Sequence, residues 1–423
     1  MPLSLRLGVL AGANLVAGFL MQWYVLVRIG AGVRTDALFA GMTVPQLLVS
    51  VLAGSSMHVI VPLLSGESES RSRQDGWHLA FLTGAVFGVI AIVLGVFAPY
   101  WTPIVAPGFS AEARSLMVDL TRIQLVGMVF TALAGVLWAV HRARQHFVWA
   151  ETAPLVGTML GWAALIWAIP RYGVVAAAWV QVIRVGTHAL LLMPGLGSYD
   201  RLPVRKDAAL EAWRRLRPLM AGNAYLRTEP LIDRMLSSLG PVGDLSLYYI
   251  GQQFCAGLLQ VSNNAVVAPM VSRLSRFVHR ADWAAFARSY RRNLRGALLL
   301  GSAAFACALG LGSVALMIVG RPDGALATKA LTLFWIVTGL GGSLVAGSAV
   351  EVVRGAFYST GETRVPVRAD VLLFTFGILL KAVSFRAFGV VGLSVAASIQ
   401  MILILTLLAR LLNRTVSRHV VAA

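Results

Sequence analysis

The sequence predicts an all-α polytopic membrane protein, with about twelve transmembrane helices in two six-helix lobes around a central cavity. Three observations lead there. Of the 423 residues, 58% are hydrophobic and 13% charged, and the mean hydropathy is +0.76. Apolar runs recur along the chain at bilayer-spanning length, since a hydrocarbon core of about 30 Å takes roughly 20 helical residues at about 1.5 Å each. Finally, Lys and Arg alternate between loops, as they do when positive charge is kept on one side of a membrane.

In order, the runs are 7–29, 37–64, 77–103, 113–140, 148–170, 173–196, 218–239, 245–272, 296–319, 327–353, 366–387 and 389–410. The first lacks a clear cleavage site and leads straight into the second, so it reads as a retained helix rather than a signal peptide. The second opens on "RTDALFAGMTVPQLL". Thr35 and Asp36 stand where an N-cap belongs, and Pro45 in mid-run predicts a kink. Arg122, Arg184 and Arg227 fall near the middle of the fourth, sixth and seventh runs, and Lys381 lies deep in the eleventh.

A net charge of +18 raises the question of nucleic acid. The distribution argues against it. With a cytoplasmic N-terminus, most of the Lys and Arg lie in cytoplasmic loops and tails, including the clusters Arg201–Arg217 and Arg273–Arg295, and both termini are cytoplasmic. Attraction to anionic membrane lipids is a secondary consequence. Cys255 and Cys307 fall in apolar helices, with no disulfide framework and no metal-ligand spacing. There is no Walker loop, dinucleotide fingerprint or nucleophile elbow, and no loop long enough to fold as a catalytic domain. The expectation is a secondary transporter, not an enzyme, with no cofactor or metal and with coupling to the membrane potential, H+ or Na+.

The halves resemble each other. Asp36 heads a helix that ends in "VPLLS" at Pro62, and Asp244 heads one that ends in "APMVS". Each follows a helix with a small polar start, "AGAN" at 11–14 and "AGN" at 221–223, and each precedes a basic loop. A parallel repeat implies rocking of two lobes. The expected division is residues 1–196 for the first lobe, 197–217 for a cytoplasmic linker and 218–423 for the second lobe.

These segments carry a family resemblance. "GAGVRTDALFAGMTVPQLLVSVLAGSSMHVIVPLLS" at 30–65, "APGFSAEA" at 106–113, "YYIGQQFCAGLLQVSNNAVVAPMVSRLS" at 248–275, "GAFYSTGETRVPVRADVL" at 355–372 and "GVVGLSVAASI" at 389–399 resemble the MurJ (MviN) lipid II flippases. These belong to the MATE-like multidrug, oligosaccharidyl-lipid and polysaccharide exporter superfamily. The resemblance implies that fold and the carriage of a lipid-linked saccharide. It also brings out two departures. Family members usually have fourteen helices, and this chain has room for about twelve. Where the family places cavity arginines thought to hold pyrophosphate, this chain has Leu15, Met21, Val49, Ser50 and Gln252.

Charge inside a bilayer is costly, about 2.5–3.5 kcal/mol on insertion scales, so each intramembrane charge should face a cavity or a partner. Arg122, Arg184 and Arg227, with Gln252, are the candidate substrate-binding residues, because a guanidinium stays charged and can grip phosphate bidentately. The competing reading is local pairing, as between Asp119 and Arg122 at helical spacing. In "LRTEPLIDRML", a helical wheel puts Arg227 and Arg234 on one face and Glu229 and Asp233 on nearly the opposite one, with Pro230 as a kink.

Some relatives bind sodium between the seventh, eleventh and twelfth helices. The resemblance places Lys381 at a polar family position there, at a depth similar to that of Asp233. The two are therefore expected to pair, either as a fixed bridge or as a protonation switch, with Glu229 nearby. Lesser features are Glu351 as a partner for Arg354, His58 as a packing histidine, and Gln253, Asn263 and Asn264 as cavity-lining or interhelical groups.

The leading function is an alternating-access flippase moving an undecaprenyl-linked saccharide, either lipid II or a surface-polysaccharide unit, from the inner to the outer leaflet of the bacterial cytoplasmic membrane. The alternatives are a cation-coupled MATE-like exporter and a non-transporting scaffold. The expected partners are the lipid-linked oligosaccharide or lipid II, membrane lipids, and polysaccharide or cell-wall synthesis machinery, with no nucleic acid.

Overall fold

The computed structural model describes residues 3–51, 69–199, 224–263, 267–319 and 325–422. Pro62, His58, Asn264 and most of the 197–217 linker lie outside the described residues. Among the described residues every regular element is helical. Among the described residues, seven stretches are long and apolar enough to cross a membrane. Two of them, Phe147–Leu196 at 50 residues and Arg364–Ser417 at 54, are long enough for two crossings each at roughly 20 residues per pass.

Those double spans break in the same way. α6, Phe147–Leu192, is interrupted at Gly173 with φ 58° and ψ −134°. α13, Arg364–Ala422, is interrupted at Gly389 with φ 58° and ψ −144°. An L side chain is strained there and glycine is not. Each glycine begins the same triplet, Gly-Val-Val. The backbone therefore separates the fifth run from the sixth, and the eleventh from the twelfth, where the hydropathy does.

The helices divide into two compact units, Met1–Ser246 and Leu247–Ala423. The first holds α1 (Leu3–Ile29), α2 (Val33–Gly41), α3 (Glu69–Val96), α4 (Ala98–Val105), α5 (Ala111–Ala143), α6, and α7 (Glu229–Ser237). A core of Leu137, Val140, Leu192 and Leu196 joins the last turns of α5 and α6, and Phe87 of α3 packs with Leu125 and Met128 of α5. Large apolar side chains also point outward, Ile92 of α3 being 67% exposed, as suits a lipid solvent.

Several predicted spans are divided. The second helix begins at Val33 and is interrupted at Met42, after which residues 43–51 are helical again. The break lies one turn before Pro45, which has no N–H to donate to the Gly41 carbonyl. Asp36 is not the N-cap of this helix. Gly32 takes that place, with its N–H donating to Thr35 Oγ1 at 3.0 Å. The third span stops at Val96 and resumes as α4, with Pro99 in its first turn. The seventh turns at Arg227–Thr228 before α7 begins. Pro230 thus sits in a first turn, where its missing N–H is tolerated, rather than as a mid-helix kink.

The second unit contains most of α8 (Asp244–Ser262), then α9 (Ala268–His279), α10 (Trp283–Val319), α11 (Ala325–Gly339), α12 (Gly341–Ser359) and α13. Its core combines Leu274, Phe286, Tyr290, Val353, Leu408 and Leu412. The tenth predicted span breaks at Leu340, between α11 and α12. Ser398 of α13 satisfies the break, its hydroxyl donating to the Gly339 carbonyl at 2.5 Å and accepting from Ser343 N–H at 2.8 Å.

Candidate functional site

In the first unit, Arg184 lies where three helical segments meet. It belongs to the half of α6 after Gly173 and packs on Gly157 and Gly161 of the half before it. Glycine permits that approach: a Cβ on Gly157 would stand 2.7 Å from the Arg184 carbonyl oxygen, and one on Gly161 3.3 Å from Arg184 Cβ. The guanidinium extends beside Gly18 of α1, and its Nε donates to Gln181 Oε1 at 3.2 Å. Arg184 is half-buried. A guanidinium stays charged and can grip phosphate oxygens bidentately, which suits this position to an anionic group.

The repeat places a different residue at the matching position of the second unit. There Gly377, in the half of α13 before Gly389, packs on the Gln400 side chain. Gln400 is 3% exposed. The two units share the glycine contact and differ in charge.

Arg122 is arranged differently. It is exposed, donates from Nε to the Gly95 carbonyl at 3.1 Å and lies 3.7 Å from Asp119. It caps the C-terminal end of α3, where a cation meets free carbonyls, and the local pairing foreseen with Asp119 is present. Arg227 is exposed in the turn before α7. It is not on the helix, so the wheel that grouped it with Arg234 fails. Nor does burial follow sign, because Asp233 at 1% and Arg234 at 4% exposure are both buried. Glu229 is half-buried in the first turn of α7.

Asp36 has a role that the sequence did not suggest. It is 4% exposed and accepts hydrogen bonds from Gly243 N–H at 2.6 Å, Ser246 N–H at 2.9 Å and the Ser246 hydroxyl. It thus caps the start of the helix that begins at Asp244, the repeat counterpart of its own. Nearby, the Gly108 N–H donates to Ser238 Oγ at 3.4 Å.

In the second unit, Lys381 is 2% exposed and Gln252 half-buried. Gln253 donates to Tyr249 Oη at 2.8 Å, a turn away on its own helix. Arg354 pairs with Glu351, as foreseen, and also with Asp370 of α13 at 2.9 Å. That second acid was missed because it is distant in sequence. Among the described residues, no three His, Cys, Asp or Glu side chains gather as a metal site would require.

Comparison with known proteins agrees with this architecture. A MurJ from Buchnera aphidicola, described as a probable lipid II flippase, is 21% identical over 93% of this chain and 80% of its own length. One from Vibrio cholerae is 22% identical over 93% of this chain and 79% of its own. The solved structure of a lipid II flippase MurJ in an inward closed conformation matches with a TM-score of 0.78 at 16% identity, covering 93% of this chain and 86% of that one. An inward-facing MATE multidrug transporter matches with 0.72 at 14% identity, covering 99% and 96%. At these identities the structures show the fold alone. The sequence family described as lipid II flippase MurJ matches residues 27–422, and this chain, a multi-pass membrane protein, belongs to it.

Proposed function

We propose that the protein flips a lipid-linked saccharide from the inner to the outer leaflet of the bacterial cytoplasmic membrane, as a transporter and not an enzyme. Family membership over residues 27–422 carries this reading. We assign the anionic linkage of the substrate to Arg184, with Gln252 as a candidate contact in the second unit. Arg122 we assign to capping α3. Arg227 remains a substrate candidate on the strength of its exposure in a turn.

The resemblance sets Leu15, Met21, Val49, Ser50 and Gln252 of this chain where the family has cavity arginines. That favours a surface-polysaccharide unit as a second possible cargo beside lipid II. The basic loops support cytoplasmic termini. Asp233, Lys381 and Glu229 are the proposed coupling residues for the membrane potential, H+ or Na+. If Asp233 and Lys381 compensate each other, Lys381→Ala will be worse than Asp233→Asn/Lys381→Ala. Polysaccharide or cell-wall synthesis machinery would be the partner that supplies and consumes the cargo.

Complementation of a flippase-depleted strain tests the assignment. Wild type and Arg122→Ala should rescue, and Arg184→Ala should not. Full rescue by Arg184→Ala removes the site. Failure of the wild type argues against lipid II and directs the same assay to a polysaccharide-export mutant.

A further inference from the structure

Three carboxamides meet inside the first unit. Gln22 of α1, Gln124 of α5 and Gln181 of α6 line a pocket of about 30 Å³, whose remaining wall is apolar and includes Leu38, Phe39 and Leu165. Gln124 is 5% exposed, and its amide nitrogen is buried with no hydrogen-bond partner. A buried N–H without an acceptor is unfavourable. It implies something that the protein alone does not supply.

The pocket restricts what that is. Its volume exceeds the roughly 10–15 Å³ that one water needs, so it admits a small polar group such as a hydroxyl or a carbonyl. No carboxylate lines it, and the Arg184 guanidinium lies beside Gly18, one turn from Gln22 on α1, so a cation is disfavoured. Gln181 is the amide whose oxygen accepts from Arg184 Nε, which joins the pocket to the proposed anion contact. Amides over an apolar floor suit an uncharged sugar group.

We propose that Gln22, Gln124 and Gln181 form a subsite for a hydroxyl or the acetamido carbonyl of the saccharide. It rests on the flippase reading above and deepens it. Arg184 addresses the charged linkage, and the glutamines distinguish a sugar-bearing lipid from its bare carrier.

The test uses the full-length protein in nanodiscs and two probes, polyprenyl pyrophosphate with one N-acetylglucosamine and the same lipid without it. Wild type should bind the sugar-bearing lipid about tenfold more tightly. Gln124→Leu should abolish that preference and leave binding of the bare lipid unchanged, and Gln22→Leu should act in the same direction. Leu is similar in size and removes an amide nitrogen with no partner, so the fold should survive, which a melting curve checks. Equal wild-type binding of both lipids overturns the subsite and leaves the flippase reading standing. Binding of neither overturns both. A preference retained in Gln124→Leu means that the pocket holds an ordered water only, and loss of both lipids in that variant means that it does not read sugar. Either result overturns the subsite.

Discussion

The Asp36 carboxylate lies 2.9 Å from the Ser246 backbone nitrogen, and the same side chain takes the Ser246 hydroxyl and the Gly243 N–H at 2.6 Å. Three donors on one buried carboxylate make it a strong structural tie, because hydrogen bonds to a charged acceptor are worth more than neutral ones. Asp36→Ala strands those donors and should cost on the order of 3 kcal/mol. Ser246→Ala loses the hydroxyl alone and should cost about 1 kcal/mol. Thermal unfolding in detergent reads both. Equal losses would mean that the carboxylate is not the centre of the arrangement.

Gly108 and Gly161 both allow close packing, but against different neighbours. A Cβ on Gly108 would overlap the Ser238 carbonyl, which is backbone, whereas one on Gly161 meets the Met21 methyl at 3.2 Å and the Arg184 stem at 3.3 Å. Side-chain ends can move aside and a helix backbone cannot easily do so. Gly108→Ala should therefore destabilise by about 1–3 kcal/mol and Gly161→Ala by less. A melting comparison in which Gly161→Ala is the worse variant would contradict this account.

Hydropathy located the long apolar helices among the described residues because it depends on long averages, and the Asp36 and Asp244 repeat was visible because both lie in the first turn of a helix. What escaped was contact between distant residues. Asp370 meets Arg354 across two helices, and Gln22, Gln124 and Gln181 converge from three. No local spacing encodes either arrangement. Asp36 was read as a cap for its own helix because N-cap chemistry is local by default, whereas here the acceptor serves another helix start. Arg227 was misplaced by running one helix from Arg227 to Arg234, where the chain turns at Arg227–Thr228 and the helix begins at Glu229. The Gly-Val-Val triplets at 173 and 389 were a legible signal of the repeat that went unread.

Arg354 holds two acids of unequal burial. Side-chain exposure is 35% for Glu351 and 11% for Asp370. Removing the cation leaves both acids uncompensated, and breaking a buried pair from one side costs about 3–5 kcal/mol. Arg354→Met should therefore be severe. Asp370→Asn should be worse than Glu351→Gln, because solvent replaces more of what Glu351 loses. Unfolding midpoints of the three variants, compared in low and high salt, check the order. Salt should shrink the loss caused by Glu351→Gln, measured against wild type, more than that caused by Asp370→Asn, because the more exposed pair is the more screened.

Gly173 and Gly389 offer a test of whether the two units are built alike. Both have φ 58° with ψ −134° and −144°, and a Cβ at either would meet nothing within 4 Å. An alanine there costs backbone strain with no steric clash, about 1–3 kcal/mol. Gly173→Ala and Gly389→Ala should thus lower the unfolding midpoint by similar amounts. Gly186→Ala, a helical glycine whose Cβ would lie 3.8 Å from Phe130 at ordinary contact distance, should not lower it. A marked difference between the first two would mean that the shared dihedral angles do not reflect a shared energetic role, and the repeat would then be one of shape without common stability.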